Sequence, residues 1–301
     1  MPHLIDFYED HAADRDKFEI LAFHDATAKT FAELDPKMEP HIKGPWGGRP
    51  LPFPILMDST GETVEKYGIR AFPTMLLIDP DGKLVGEATE EYLEKKLPPI
   101  PASVRVPRSL DRNVTVYFQD PTLAQAMDIV AKAAKVPVKA DPEALKAAGA
   151  TLETKIPLQV AGMISTRSAL ELALDPLGLS FKPTDEGLLV IQKPRVAAGT
   201  ALSKPQEACA KRIAERLKQK ASFKLEGVTL QALAERFEQE TMENFVLDPA
   251  GRMSGAIDPK TTVRGEARDE PLGAALDRIL GPLGLRLEAR DEVVIIAPLR
   301  K

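Results

Sequence analysis

The sequence predicts an α/β protein: one N-terminal α/β block followed by two copies of a smaller α/β module. Three observations carry this. Residues 1–97 alternate helix and strand signals. Four prolines, Pro98, Pro99, Pro101 and Pro107, then interrupt the chain. Downstream, ALELALDPLGLSFKPTDEGLLVI (169–191) returns as ALDRILGPLGLRLEARDEVVII (275–296), with Pro176 and Pro282 offset by 106 residues. The preceding stretches match too. TLAQAMDIVAKAAKVPVKADP (122–142) parallels TLQALAERFEQETMENFVLDP (229–249), with Asp141-Pro142 and Asp248-Pro249 offset by 107. Two offsets so close indicate one duplicated unit with a single-residue indel.

In the first block, residues 1–15 read as a helix with Leu4, Ile5 and Tyr8 on one side. FEILAFHD (18–25) is a short apolar run bounded by polar residues, expected as a buried strand. Phe31, Leu34 and Met38 recur at helical spacing, and Pro45, Trp46, Gly47, Gly48 and Pro50 mark a loop. FPILMD (53–58) is a short strand. Asp58-Ser59 can cap the helix that follows, and Gly68 stands where a left-handed residue would end it. TMLLID and KLVGEA are expected to pair across Asp79-Pro80-Asp81-Gly82, before a closing helix over 90–97. The organisation expected is therefore a block at 1–97, a stiff extended proline-rich linker at 98–112, a first repeat at 113–195, a linker and basic helix at 196–220, and a second repeat at 221–301. Each repeat reads as strand–helix–strand, then strand–helix–strand–strand.

Bulk composition removes several function classes. Charged residues make up 28% of the chain, the net charge is −5 and aromatics are 5%. A general nucleic-acid binder is not expected from that balance. No run approaches 18 apolar residues, so no membrane span is expected, and the acidic N-terminus lacks the apolar segment of a signal peptide. A single cysteine, Cys209, excludes an internal disulfide and any multi-cysteine metal site. The four histidines, His3, His11, His24 and His41, lack metal-ligand spacing and read as helix-surface or strand-end residues. No metal and no cofactor is expected. Cys209 aligns with Ile213 and Leu217 on a helical face as a small buried residue. The alternative is a reactive thiol among Lys211, Arg212, Arg216, Lys218 and Lys220, a basic run most simply read as a solvated face. Asp185, Glu186, Asp291 and Glu292 fall at hairpin turns and are expected in solvent.

Pro73 begins an otherwise apolar strand. It is either a trans proline that starts the strand or a cis one that turns the Phe72 backbone outward, free to meet an extended peptide. Here a family resemblance enters. LPFPILMDSTGETVEKYGIRAFPTMLLIDPDGKLVG (51–86) and MPHLIDFYEDH (1–11) resemble the redoxin branch of the thioredoxin superfamily, the thiol–disulfide oxidoreductases. The resemblance implies that Pro73 is the family's cis-proline, that Phe72, Pro73 and Thr74 contact substrate, and that the partners are protein thiols and disulfides. It also implies a Trp-Cys-x-x-Cys ahead of the first helix, and a strand between those matched by FEILAFHD and TMLLID. Neither is in this sequence, so an incomplete thioredoxin-like domain is expected, from a chain shortened at its N-terminus.

Thiol–disulfide exchange needs an attacking and a resolving thiol. With the pair absent, no catalytic residue is assigned and the chain is expected to be inactive. The rival reading is a non-catalytic envelope adaptor that holds partner proteins. More weakly, the two repeats resemble the short N-terminal domains of secretins and TonB-type proteins, which implies protein partners. The family resemblance implies a bacterial periplasm or cell envelope; a true start at Met1 implies the cytoplasm.

Overall fold

The computed structural model describes residues 2–43, 46, 49–194 and 202–299. Met1, the loop residues Pro45, Gly47 and Gly48, the side chain of His3 and residues 196–201 of the expected second linker lie outside the described residues. The chain forms two compact units, Met1–Arg105 and Val106–Lys301.

In the first unit, helix α1 (Pro2–Asp10) leads to strand β1 (Ala22–His24), α2 (Phe31–Lys43), β2 (Ile55–Met57), α3 (Glu62–Lys66), β3 (Leu76–Ile78), β4 (Leu84–Glu87) and α4 (Glu90–Lys96). Ile5 and Tyr8 of α1 form a small core with Trp46 and Phe53, and Leu4, Phe18 and Met38 pack against it. The hairpin across residues 79–82 is present, with Leu76 opposite Glu87. The sheet is split: among the described residues, β1 pairs only with β2, in parallel, and β3 only with β4. The expectation of a buried strand over 18–25 is corrected. Only Ala22–His24 are strand, and Phe23 is 51% exposed. With β2 as its one neighbour, β1 is an edge rather than the middle of a sheet.

The proline-rich stretch is also corrected. Within the expected extended linker, residues 102–109 form helix α5 (Ala102–Ser109). Pro101 sits just ahead of its first turn, where a missing N–H costs nothing, and its carbonyl accepts from Val104 and Arg105. Val106 and Leu110 are buried, and that burial favours a helix over an extended tether.

The second unit contains two runs of the same element order. The first is β5 (Asn113–Gln119), α6 (Leu123–Ala134), β6 (Val138–Ala140), α7 (Pro142–Ala147), β7 (Gln159–Ser165), α8 (Thr166–Leu174), β8 (Leu179–Thr184) and β9 (Gly187–Gln192). After α9 (Lys204–Lys218), the second is β10 (Lys220–Thr229), α10 (Leu230–Thr241), β11 (Phe245–Leu247), α11 (Pro249–Met253), β12 (Thr262–Pro271), α12 (Leu272–Leu280), β13 (Leu285–Arg290) and β14 (Val293–Pro298). Each run makes one antiparallel pair, β5–β7 or β10–β12, and one three-stranded sheet, β6–β9–β8 or β11–β14–β13. The helices α7 and α11 were not expected. The repeated Asp-Pro explains both: Asp141 and Asp248 cap the helices, and proline fits their first turn. In the second run, Phe237, Leu233, Ala275 and Leu276 form the centre of the core, with Cys209 and Ile213 of α9 added to it.

The matched hairpin turns differ. Asp185 and Glu186 are exposed, and Glu186 pairs with Lys139 at 2.6 Å. Asp291 is buried and Glu292 half-buried, contrary to the expectation of solvated turns. The cause is tertiary: the Glu292 carboxylate accepts from the backbone N–H of Ser165, 127 residues away.

Candidate functional site

The segment carrying Phe72, Pro73 and Thr74 is anchored at both ends. Upstream, the Asp58 carboxylate accepts from the Val64 backbone N–H at 2.9 Å, and that bond holds its pKa below the ordinary value. Gly68, at φ +64°, ends α3, with its N–H bonded to Glu65 and that of Ile69 to Val64. Downstream, Met75 accepts from the Ala88 N–H and leads into β3. The Phe72–Pro73 peptide is cis. Residues 71–75 are all exposed, and the Thr74 hydroxyl donates to the Ala71 carbonyl at 2.6 Å. Among the described residues, no hydrogen bond reaches the backbone N–H or C=O of Phe72.

Phe72 forms one wall of a groove of about 380 Å³. Phe23 and His24 of β1, Lys37 and His41 of α2, and Trp46 contribute to the rest. Nothing in the spacing of the scattered histidines signals that two of them meet there. His24 lies 3.1 Å from the Asp25 carboxylate, and His41 stacks on Trp46 with centroids 5.8 Å apart. Hydrogen bonds from the Thr27 hydroxyl and N–H hold the Asp25 pKa down. Lys37 donates to the Thr27 carbonyl at 2.6 Å. The groove can therefore offer aromatic walls, imidazole donors and an open strand edge, but no thiol, because residues 1–97 contain no cysteine. His11 is also corrected: it is buried between Phe7 and Phe18 rather than on a helix surface. Among the described residues, no cluster of three or more His, Cys, Asp or Glu is placed to hold a metal ion, and no helix is long and apolar enough to cross a membrane.

Cys209 is remote in sequence and buried, at 3% exposure. Burial pushes its thiol up to about 12, against the opposing pull of Arg212, whose Nη2 lies 3.1 Å from the sulfur. A thiol so protonated is a poor nucleophile. We expect Cys209 to react with Ellman's reagent at pH 8 at least ~100-fold more slowly than free cysteine, and at the free rate in denaturant. Fast labelling of the folded chain would show the thiol to be accessible.

Comparison with known proteins places the chain beside one group. Proteins named thiol-disulfide oxidoreductase ResA from Bacillus thuringiensis subsp. konkukian and Bacillus cereus are 45% identical to it over 51 residues, 16% of this chain and 30% of theirs. The protein of that name from Bacillus anthracis is 43% identical over 56 residues, covering 16% of this chain and 32% of its own. No family model matches the chain, and no solved structure matches it. The similarity to thiol–disulfide oxidoreductases is thus partial: the chain spans about a third of the length of these curated relatives.

Proposed function

We propose that the block at 1–97 is a redoxin-type domain that docks an extended polypeptide at Phe72, Pro73 and Thr74 and does not exchange disulfides with it. The observation that carries this reading is an exposed Phe72–Pro73–Thr74 turn beside an aromatic groove, in a block with no cysteine. The partial identity to oxidoreductases supports the family, with protein thiols and disulfides as its substrates. The absent thiols support holding without chemistry, because attack and resolution each need a sulfur. The two repeats then serve as protein-contact modules of the secretin and TonB short-domain type. The bacterial periplasm or cell envelope is the compartment where a docking protein of this family would meet its partners.

One experiment with two readouts tests this. In an insulin-reduction assay with dithiothreitol, the chain should give no rate above the reductant alone. Reduced insulin B chain should perturb the fluorescence of Trp46, the chain's single tryptophan and a groove residue. Phe72→Ala should weaken that response several-fold. Turnover in the first readout would overturn the inactive reading, and an unchanged Trp46 signal would overturn the docking reading.

A further inference from the structure

The strands differ in how their open edges are guarded. An edge presents unpaired N–H and C=O groups, and folded proteins blunt it with charge, proline, irregular register or shortness. In the first unit, β1 to β4 are no longer than four residues. In the second, β6 and β11 have three residues each, and β9 and β14 are flanked on both sides. β8 carries Lys182 and Pro183, and β12 and β13 carry several charges. β10 combines Lys220, Lys224 and Glu226 with two breaks in register. The far side of β7 is engaged by the second repeat: the Ser165 N–H donates to Glu292, and Gln231 donates to Gln159 at 2.8 Å.

β5 has none of these devices. Its seven residues, NVTVYFQ, contain no charge and no proline, and their register with β7 is unbroken. In a chain that is 28% charged, this sets β5 apart from β10, its charged counterpart in the second repeat. The direction of its free groups follows from the ladder. The Thr166 N–H donates to the Arg112 carbonyl and the Asp120 N–H to the Leu158 carbonyl, each at 2.9 Å. Antiparallel bonds alternate, so Val114, Val116 and Phe118 bond to β7, while Asn113, Thr115, Tyr117 and Gln119 turn their N–H and C=O outward. Among the described residues, no hydrogen bond reaches those outward groups. The side chains of Thr115, Tyr117 and Gln119 are exposed, that of Tyr117 by 61%, and exposed Met163 lies across from Thr115.

We propose that β5 is the edge through which two copies of this chain pair, antiparallel, to make one continuous β7–β5–β5–β7 sheet. Full overlap of the two strands puts the two-fold axis at Val116. Thr115 then lies opposite Tyr117 of the second copy and Asn113 opposite Gln119, so outward groups meet outward groups along the whole strand. A β-branched residue opposite an aromatic one is a favourable cross-strand pair. The lack of charge selects the occupant. A partner of different sequence can meet a charge with its opposite, whereas beside a two-fold axis a charge meets its own copy. The contact is isologous and uses up the open edge, so assembly stops at two. It is separate from peptide docking at Phe72 and stands whether or not that docking occurs.

The test uses the full chain. Sedimentation velocity should show monomer and dimer exchanging with concentration. In hydrogen exchange followed by NMR, the Thr115, Tyr117 and Gln119 amides should gain protection as concentration rises, while those of Val114, Val116 and Phe118 are protected throughout. Tyr117→Lys sets two cations near the axis and should weaken pairing at least ~10-fold, as should Tyr117→Glu. An equimolar mixture of the two variants should recover the dimer, because lysine then meets glutamate across the axis. A chain that stays monomeric up to about 1 mM would overturn the proposal. So would a Tyr117→Lys chain that pairs as well as the parent, a mixture that stays monomeric, or outward amides whose exchange ignores concentration. The exchange measurement on the unaltered chain decides the matter even where a variant folds poorly.

Discussion

Gly187→Ala is expected to destabilise the first repeat by about 4 kcal/mol, with backbone strain and steric overlap each contributing about 1–3. Gly187 opens β9 at φ +147°, a region that side chains rarely occupy. A Cβ built there would lie 2.3 Å from the carbonyl oxygen of Pro137. That oxygen cannot retreat easily, because it accepts the Leu188 N–H at 2.8 Å and begins the β6–β9 pairing. The substitution therefore acts on the junction that joins a strand to its sheet. Urea unfolding followed by circular dichroism reads the effect as a lowered midpoint. A change of less than about 1 kcal/mol would show that β6 can shift away without penalty. The second repeat offers an internal comparison. Its matching position is Val293, fully buried, because the Asp291-Glu292 turn supplies the positive φ angles instead.

Arg212→Ala is expected to cost about 3 kcal/mol, through the partner it leaves behind. The guanidinium makes a two-pronged bond to Glu243, Nε to Oε1 and Nη2 to Oε2, each 2.9 Å. The Glu243 side chain is only 4% exposed, whereas that of Arg212 is 55% exposed. Truncating the arginine strands a desolvated carboxylate. Truncating the glutamate leaves a cation that can turn to water. Glu243→Gln should thus cost less than Arg212→Ala, and the double variant should recover part of the loss. Strict additivity in a double-mutant cycle would show that the pair contributes nothing as a pair. The basic run is a solvated face, as expected: Lys211, Arg212 and Lys218 are exposed, with Lys218 paired to Glu215 and Arg212 reaching from solvent onto the buried Glu243.

Most of the local structure was legible from the chain. The hairpin at 79–82 needed only its turn residues between apolar runs, and Gly68 ended α3 where a left-handed residue was expected. The duplication foretold two runs of one element order, because identical patterns fold alike. Less of the candidate site was legible. Phe72, Pro73 and Thr74 stood out through proline chemistry and resemblance, yet the groove beside them did not. His24 and His41 come from a strand end and a helix, with no spacing signal to join them. The helix over 102–109 was missed because proline counts describe tethers and say nothing of what Val106 buries.

By itself the sequence determined the α/β order, the duplication and the absence of a thiol pair, since these depend on residues near one another or simply on which residues exist. Only the tertiary structure decided that β1 and β3 stand in separate sheets and that Cys209 is buried. It alone separated two copies of Asp-Glu: one remains in water beside Lys139, and the other is pressed onto a helix 127 residues away. The physical reason is that propensity and turn chemistry act over a few residues, whereas desolvation and pairing depend on whatever distant segment the fold brings alongside.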